Sequence, residues 1–256
     1  MLKKVFYSAL SALLMVSMFA GTSFADTKTQ KANSQVIYTA KEIKDTHKLF
    51  EKAINGVTDL AKEELPKFVA QEAVLKARSK SKNINQEDKS KEIKVQSTTQ
   101  LLKVEKKGDA EVKSYVTNTF AAPTEQQLAS SDSGSKYDSS YSVIARSTVY
   151  YTISYNNGRK YYDMSRVSGS WSILDNSVTV GGYRVLYGQT GINKSGYSVT
   201  QKSNYKYPGG AFTYYTPSSW QPIWANDSYV HSIGVTTRCA IERRGSSWTL
   251  TFYNNI

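Results

Sequence analysis

The chain has 256 residues, with 33 lysines and arginines against 21 aspartates and glutamates, so its formal net charge is +12. Its one cysteine, Cys239, excludes an internal disulfide, and stability must come from a hydrophobic core of ordinary size. The length suits one large β domain or two smaller units, and the positive charge favours anionic partners.

The N-terminus has the three parts of a secretory signal peptide, over residues 1–25. Two early lysines precede an apolar run from Val5 to Ala20, and Ser23 and Ala25 supply the small side chains that signal peptidase accepts. A membrane anchor is the weaker alternative, because spanning a bilayer takes about 20 apolar residues and this run stops short of that. We therefore predict cleavage before Asp26 and a secreted protein with no stable membrane insertion.

A short helical segment, over about 40–79, is predicted next. Thr39 and Glu42 have the spacing of a capping box, and Asn55-Gly56 is typical of a helix end. These signals predict two helices, over about 40–55 and 59–79. One apolar stripe runs along both at spacings of three and four residues, with one gap that His47 fills. Its residues are Ile43, Phe50, Ile54, Val57, Ala61, Leu65 and Phe68.

A polar, lysine-rich stretch from Arg78 to Lys94 is typical of a linker. It divides the mature chain into a helical segment with its basic linker, 26–92, and a β-rich domain, 93–256. The second part carries 17 basic and 10 acidic residues, a net charge of +7.

Three hairpins are predicted in the β-rich part, turning at Gly108, Asn157-Gly158 and Gly181-Gly182. The second should place Ile153 opposite Tyr162, so that the apolar residues of both arms share one face. The third should place Val178 across from Val185. Further strands are expected at 171–174, 196–202, 211–215, 231–242 and 247–253. Regular short strands separated by turns predict a mainly β fold, an antiparallel sandwich or open barrel.

The sequence contains little evidence of a catalytic site. His231, Asp227 and a serine are the residue types of a catalytic triad. Because serine is abundant in this chain, their presence is weak evidence, and no strained G-x-S-x-G elbow accompanies them. A hydrolase needs two facing carboxylates, and nothing singles out a pair. The carboxylates of the strand-rich region are Asp163, Asp175, Asp227 and Glu242.

Neither a metal nor another cofactor is expected. Zinc needs three or four nitrogen or sulfur ligands, and the β-rich part offers one histidine and one cysteine. Cys239 alternates with Ile233, Val235, Thr237 and Ile241, so it should pack as a small hydrophobe on a buried strand face.

The candidate ligand-binding residues lie in one aromatic segment that also carries prolines and serines. Its rings could stack on sugars while the amide binds hydroxyls; alternatively, the rings cap one end of the β core. The candidates are Tyr215, Trp220, Trp224, Asn226 and Tyr229.

The motifs "VSGSW", "YGQTG" and "RRGSSW" resemble those of a group of uncharacterised secreted proteins of Gram-positive bacteria. The resemblance covers about residues 150–256 and implies export and a C-terminal β domain. It implies no activity and no functional residue.

These observations predict a non-enzymatic exported protein that binds, or has a structural role, at the cell envelope. Its expected partners are anionic cell-wall polymers or polysaccharide, and not nucleic acid. An extracellular hydrolase and a membrane-active secreted factor, inserting its helices, are the alternatives.

Signal cleavage can be tested directly. Protein recovered from culture medium should begin at Asp26, as measured by mass spectrometry of the intact chain. Recovery of protein that still contains Val5–Ala20 would refute the export prediction.

Overall fold

The computed structural model describes residues 34–61, 64, 71–77, 90–123, 142–203, 206–224 and 231–256. The predicted signal peptide and most of the predicted linker lie outside these residues. The elements, in chain order, are β1 (Ser34–Thr39), α1 (Thr46–Ile54), β2 (Gln71–Ala77), β3 (Ser90–Ile93), β4 (Val95–Lys107), β5 (Ala110–Ala121), β6 (Val143–Asn156), β7 (Arg159–Ile173), β8 (Thr179–Ile192), β9 (Ser198–Lys202), β10 (Ala211–Tyr215), β11 (Ile223–Trp224), β12 (Ser232–Arg243) and β13 (Ser246–Asn255).

All thirteen strands of the described chain belong to one antiparallel sheet, so the predicted mainly β fold is confirmed. Their order is β1-β4-β5-β6-β7-β11-β8-β12-β13-β2-β3, with β10 beside β7 and β9 beside β8. The sheet folds over at the two-residue strand β11, so that β4–β7 form a first layer and β8, β12, β13 and β2 form a second. The predicted division of the chain at residue 92 does not divide the sheet, because β2, which precedes it, pairs with β13, which follows it.

The core lies between the two layers, where every second residue points inward. One end is filled by tyrosines and branched residues of both layers, including Tyr151, Ile153, Val185 and Val235. The other end is packed by smaller side chains from β6 and by Cys239 and Phe252. This alternation places Arg166, Arg184 and Arg238 of the same strands on the two outer surfaces.

A buried asparagine joins the two layers. Asn254, on β13, has no exposed surface and accepts a hydrogen bond from the Thr119 hydroxyl of β5, at 2.9 Å. Its amide nitrogen donates to the carbonyl and hydroxyl oxygens of Ser147 on β6, at 3.3 and 3.2 Å. Because a buried amide is costly unless its hydrogen bonds are made, these contacts fix how the layers are aligned.

The single helix of the described chain is shorter than predicted. It begins after Asp45, whose carboxylate accepts a hydrogen bond from the Lys48 amide, and not at Thr39. The predicted capping box is wrong, because Thr39 ends β1 and pairs with β4. The predicted end is confirmed: Gly56 adopts a φ of 65° directly after the helix. Leu49 is fully buried in a cluster with Phe120 of β5.

The helix predicted over 59–79 is wrong in the residues that the structure describes, because residues 59–61 are not helical and 71–77 form a strand. Strand β2 occupies Gln71–Ala77 and pairs with β13 on one side and β3 on the other. Ala73 and Leu75 are buried with the period of a strand. Pairing with the C-terminal strand overrides the local helical pattern here, because it places these residues in the core.

Two of the three predicted hairpins are confirmed. β4 and β5 turn at Gly108, and β6 and β7 turn at Asn157-Gly158 with Ile153 opposite Tyr162. The hairpin at Gly181-Gly182 is wrong, because β8 runs through both glycines. The pairing with β12 shifts register there, and Gly182 has a φ of 58°. A positive φ serves a bulge as well as a turn, and the local sequence does not distinguish them.

Cys239 is buried, as predicted. Its side chain has no exposed surface, and burial raises the pKa of the thiol to about 12. The alternating neighbours Ile233, Val235, Thr237 and Ile241 are each at most 2% exposed.

Replacing Cys239 by serine should lower the free energy of unfolding by about 1–3 kcal/mol, because it buries a hydroxyl in place of sulfur. Urea denaturation measures this change. Cys239→Ala removes the sulfur without adding a polar group and serves as the control. The native thiol should react slowly with thiol reagents, and rapid labelling of the folded protein would contradict the burial.

Candidate functional site

The outer surface of the first layer carries a row of alternating rings and charge. Cross-strand partners share a face, and Arg166 of β7 pairs with Tyr150 of β6 on one side and Tyr215 of β10 on the other. The Arg166 guanidinium carbon lies 3.7 Å from the centroid of the Tyr150 ring and 5.8 Å from that of Tyr215. Tyr215 is 67% exposed. An arginine is thus held between a half-buried ring and an open one.

A carboxylate binds the ring at the Tyr150 end of this row. The Tyr150 hydroxyl donates to Glu42 Oε1 at 2.6 Å. Burial, together with this hydrogen bond, raises the pKa of Tyr150 to about 12, so the phenol stays protonated at physiological pH. Glu42 therefore orients the ring on which Arg166 rests.

A second set of rings and cations lies on the same outer surface, near the start of β7. Trp224 of β11 pairs with Tyr161 of β7, and the Arg159 guanidinium carbon lies 4.4 Å from the centroid of the Trp224 ring. The Lys194 ammonium lies 5.7 Å from the centroid of Tyr161. We call this surface the aromatic–basic face; it comprises Tyr150, Tyr215, Trp224, Arg159, Arg166 and Lys194, and the Tyr161 ring next to Lys194 is buried.

Trp220 does not share this face with Trp224. It lies at the end of a ladder of rings that lines the inside of the sheet, 5.9 Å from Tyr187, which in turn stacks on Tyr214. These rings therefore cap the core, which is the second of the two interpretations given for this segment in the sequence analysis. Tyr215 and Trp224 lie on the outer surface, whereas Asn226 and Tyr229 lie outside the described residues.

A buried glutamine attaches the aromatic segment to the sheet. Gln189, on β8, accepts a hydrogen bond from the Met164 amide at 2.9 Å and donates to the carbonyl oxygen of Gln221 at 2.9 Å. The Thr216 hydroxyl donates to the Met164 carbonyl at 2.8 Å. These contacts fix both ends of the segment between β10 and β11. No sequence signal marked Gln189 for this role.

The candidate carboxylates are distributed over different parts of the fold. Asp175 accepts from the Ser177 amide and pairs with Arg243 at 3.2 Å, which makes it a turn residue. Asp163 lies on the outer surface of the first layer, where burial raises its pKa. Glu242 is exposed on the outer surface of the second layer, and Asp227 lies outside the described residues.

A buried carboxylate that the sequence did not indicate lies at one end of the core. Glu64 is 5% exposed, and its two oxygens accept from the Lys113 ammonium and the Tyr115 hydroxyl, each at 2.6 Å. Burial alone would raise the pKa of Glu64, but these two hydrogen bonds outweigh it and hold the pKa below its ordinary value. Glu64 thus stays ionised and joins its segment to β5.

The described part of the chain contains no cluster of three or more histidine, cysteine, aspartate or glutamate side chains that could hold a metal ion. Within the same residues, no helix is long and apolar enough to cross a membrane. His47 is exposed on α1, and His231 directly precedes β12.

No family model, curated protein or solved structure matches this chain. The resemblance of residues 150–256 to secreted Gram-positive proteins therefore stays a prediction.

Replacing Tyr115 by phenylalanine should lower the free energy of unfolding by about 1.5–3 kcal/mol at neutral pH, because it removes a donor to a buried charge. The folded pKa of Glu64 lies below its ordinary value of 4.5. Its ionised form therefore stabilises the fold above that value, and this contribution is lost as the pH falls through the folded pKa.

The difference between Tyr115→Phe and the parent protein should accordingly shrink in acid, as measured by urea denaturation across the pH range. Tyr155→Phe is the control, since Tyr155 is 38% exposed and lies in the same region. An equal loss for both variants would contradict the assigned role of Glu64.

Proposed function

We propose that this protein is exported and acts without catalysis, binding an anionic polysaccharide of the cell envelope through its aromatic–basic face. The observation that supports this most is the position of Arg166 between Tyr150 and the open ring of Tyr215. A sugar ring can stack on the exposed tyrosine while the guanidinium pairs with an acidic substituent on the same or the next sugar.

The face is preorganised for such a ligand. Arg166 is half-buried and rests on Tyr150, which is itself hydrogen-bonded to Glu42. A side chain that is already held in place loses less conformational entropy on binding. Arg159 is exposed above the half-buried Trp224, so a second ring and cation are available within the same face.

The charge of the chain supports an anionic partner as well. Residues 93–256 carry a net charge of +7, which attracts polyanions over a long range at low ionic strength. The predicted signal peptide would deliver this charge to the outside of the cell, where anionic wall polymers are abundant.

A polysaccharide hydrolase is the second candidate, and Asp163 is the residue that favours it. Asp163 lies on β7 between Tyr161 and Arg166, and burial raises its pKa, as a general acid requires. Glycoside hydrolysis also needs a second carboxylate that faces the first one. Turnover of a wall fragment that is abolished by Asp163→Asn would establish this candidate in place of simple binding.

Binding can be measured as retention of the purified mature protein on isolated cell walls and on an immobilised acidic polysaccharide. Tyr215→Ala should weaken retention by about tenfold, which corresponds to about 1.4 kcal/mol for the loss of one stacked ring. Arg166→Gln should weaken it and reduce its dependence on salt, because the Debye length falls from about 10 Å at about 0.1 M salt to about 3 Å at about 1 M.

Tyr197→Ala is the matched control, since Tyr197 is 71% exposed and lies in the turn before β9. Its retention should equal that of the parent protein. Two results would count against the proposal: no retention at low salt, or equal retention of the Tyr215 and Tyr197 variants.

A further inference from the structure

Two arginines oppose each other on the outer surface of the second layer. Arg184 of β8 and Arg238 of β12 are direct cross-strand partners, and both side chains are exposed. Like charges directly opposite each other destabilise a sheet. Within the described chain, neither arginine forms an ion pair with a carboxylate; the acidic residue on the same face of β12 is Glu242, four positions along the strand, or about 13 Å at the usual rise per residue.

The two arginines flank a shallow cavity of about 160 Å³. The cavity exists because the floor is made of residues with little or no side chain: Gly182 forms the bulge of β8, and Ala240 faces it from β12. Thr249 of β13 closes one side. The Tyr207 ring stands at the mouth, 71% exposed, with the Arg184 guanidinium carbon 5.3 Å from its centroid.

We propose that this cavity binds the phosphate group of a phosphate ester. Two guanidinium groups supply paired N–H donors in a planar fork, the geometry that suits the oxygens of phosphate. Their double charge balances the dianion of a monoester and exceeds the single charge of a diester. A bound phosphate would also remove the repulsion between Arg184 and Arg238. The open face of Tyr207 can take the sugar or polyol that carries the phosphate.

This site does not depend on the proposed function. The cavity lies on the outer surface of the second layer, whereas the aromatic–basic face lies on that of the first. Phosphate could reach it as the free ion, as a small monoester or as a phosphodiester of an envelope polymer. All three share the chemistry that the arginines recognise, and a titration can distinguish them.

The test is isothermal titration calorimetry of the full mature protein at constant ionic strength. The ligands are inorganic phosphate, glycerol 3-phosphate, a glycerol phosphodiester and acetate. Phosphate-bearing ligands should bind, and the double variant Arg184→Gln/Arg238→Gln should lose at least about tenfold in affinity. Tyr207→Ala should remove any advantage of the glycerol esters over inorganic phosphate.

The matched control is Lys106→Gln/Lys107→Gln, which removes the same charge from the exposed end of β4 and should bind as the parent does. Folding of each variant is checked by its thermal midpoint. Added phosphate should raise that midpoint in the parent and the control but not in the arginine variant.

Preference for the diester over the monoester would identify a polymer as the source, and the reverse preference a small metabolite. The proposal is overturned if the arginine variant binds phosphate as tightly as the lysine control does. It is equally overturned if acetate matches phosphate in affinity. Neither result bears on retention through the aromatic–basic face.

Discussion

The contact of β5 and β6 with β13 through Asn254 is the constraint on which the rest of the fold depends. A one-residue shift of any of these strands would move the amide away from Thr119 and Ser147 and turn the inward residues outward. Because the alignment of the layers is fixed at this point, the inward positions of β5, β6 and β13 meet in one core.

The two outer surfaces use the same residue types in different ways. On the first layer, Arg166 is placed between rings and supported from behind, so its charge is oriented by packing. On the second layer, Arg184 and Arg238 are placed against each other above a floor of small residues. One surface therefore presents a cation that is oriented between rings, and the other presents two cations directly opposite each other.

The parts of the fold that could be predicted were those determined by neighbours in sequence. The turn at Asn157-Gly158 and the helix end at Asn55-Gly56 follow from local backbone preferences, and the burial of Cys239 follows from alternation. β2 was missed because its partner lies at the other end of the chain. Tyr215 and Trp224 could be selected by composition, whereas Arg166 enters the site only through the register of β6, β7 and β10.

The position of β13 has a consequence for how the chain reaches its native state. This last strand lies in the middle of the second layer, between β12 and β2, and its partner β2 precedes it by more than a hundred positions. Contacts of such high sequence separation form slowly, because a long loop must close before any of them can form. The second layer therefore cannot be completed before β13 has been synthesised, so β2 and β3 wait for a partner while most of the described chain is made.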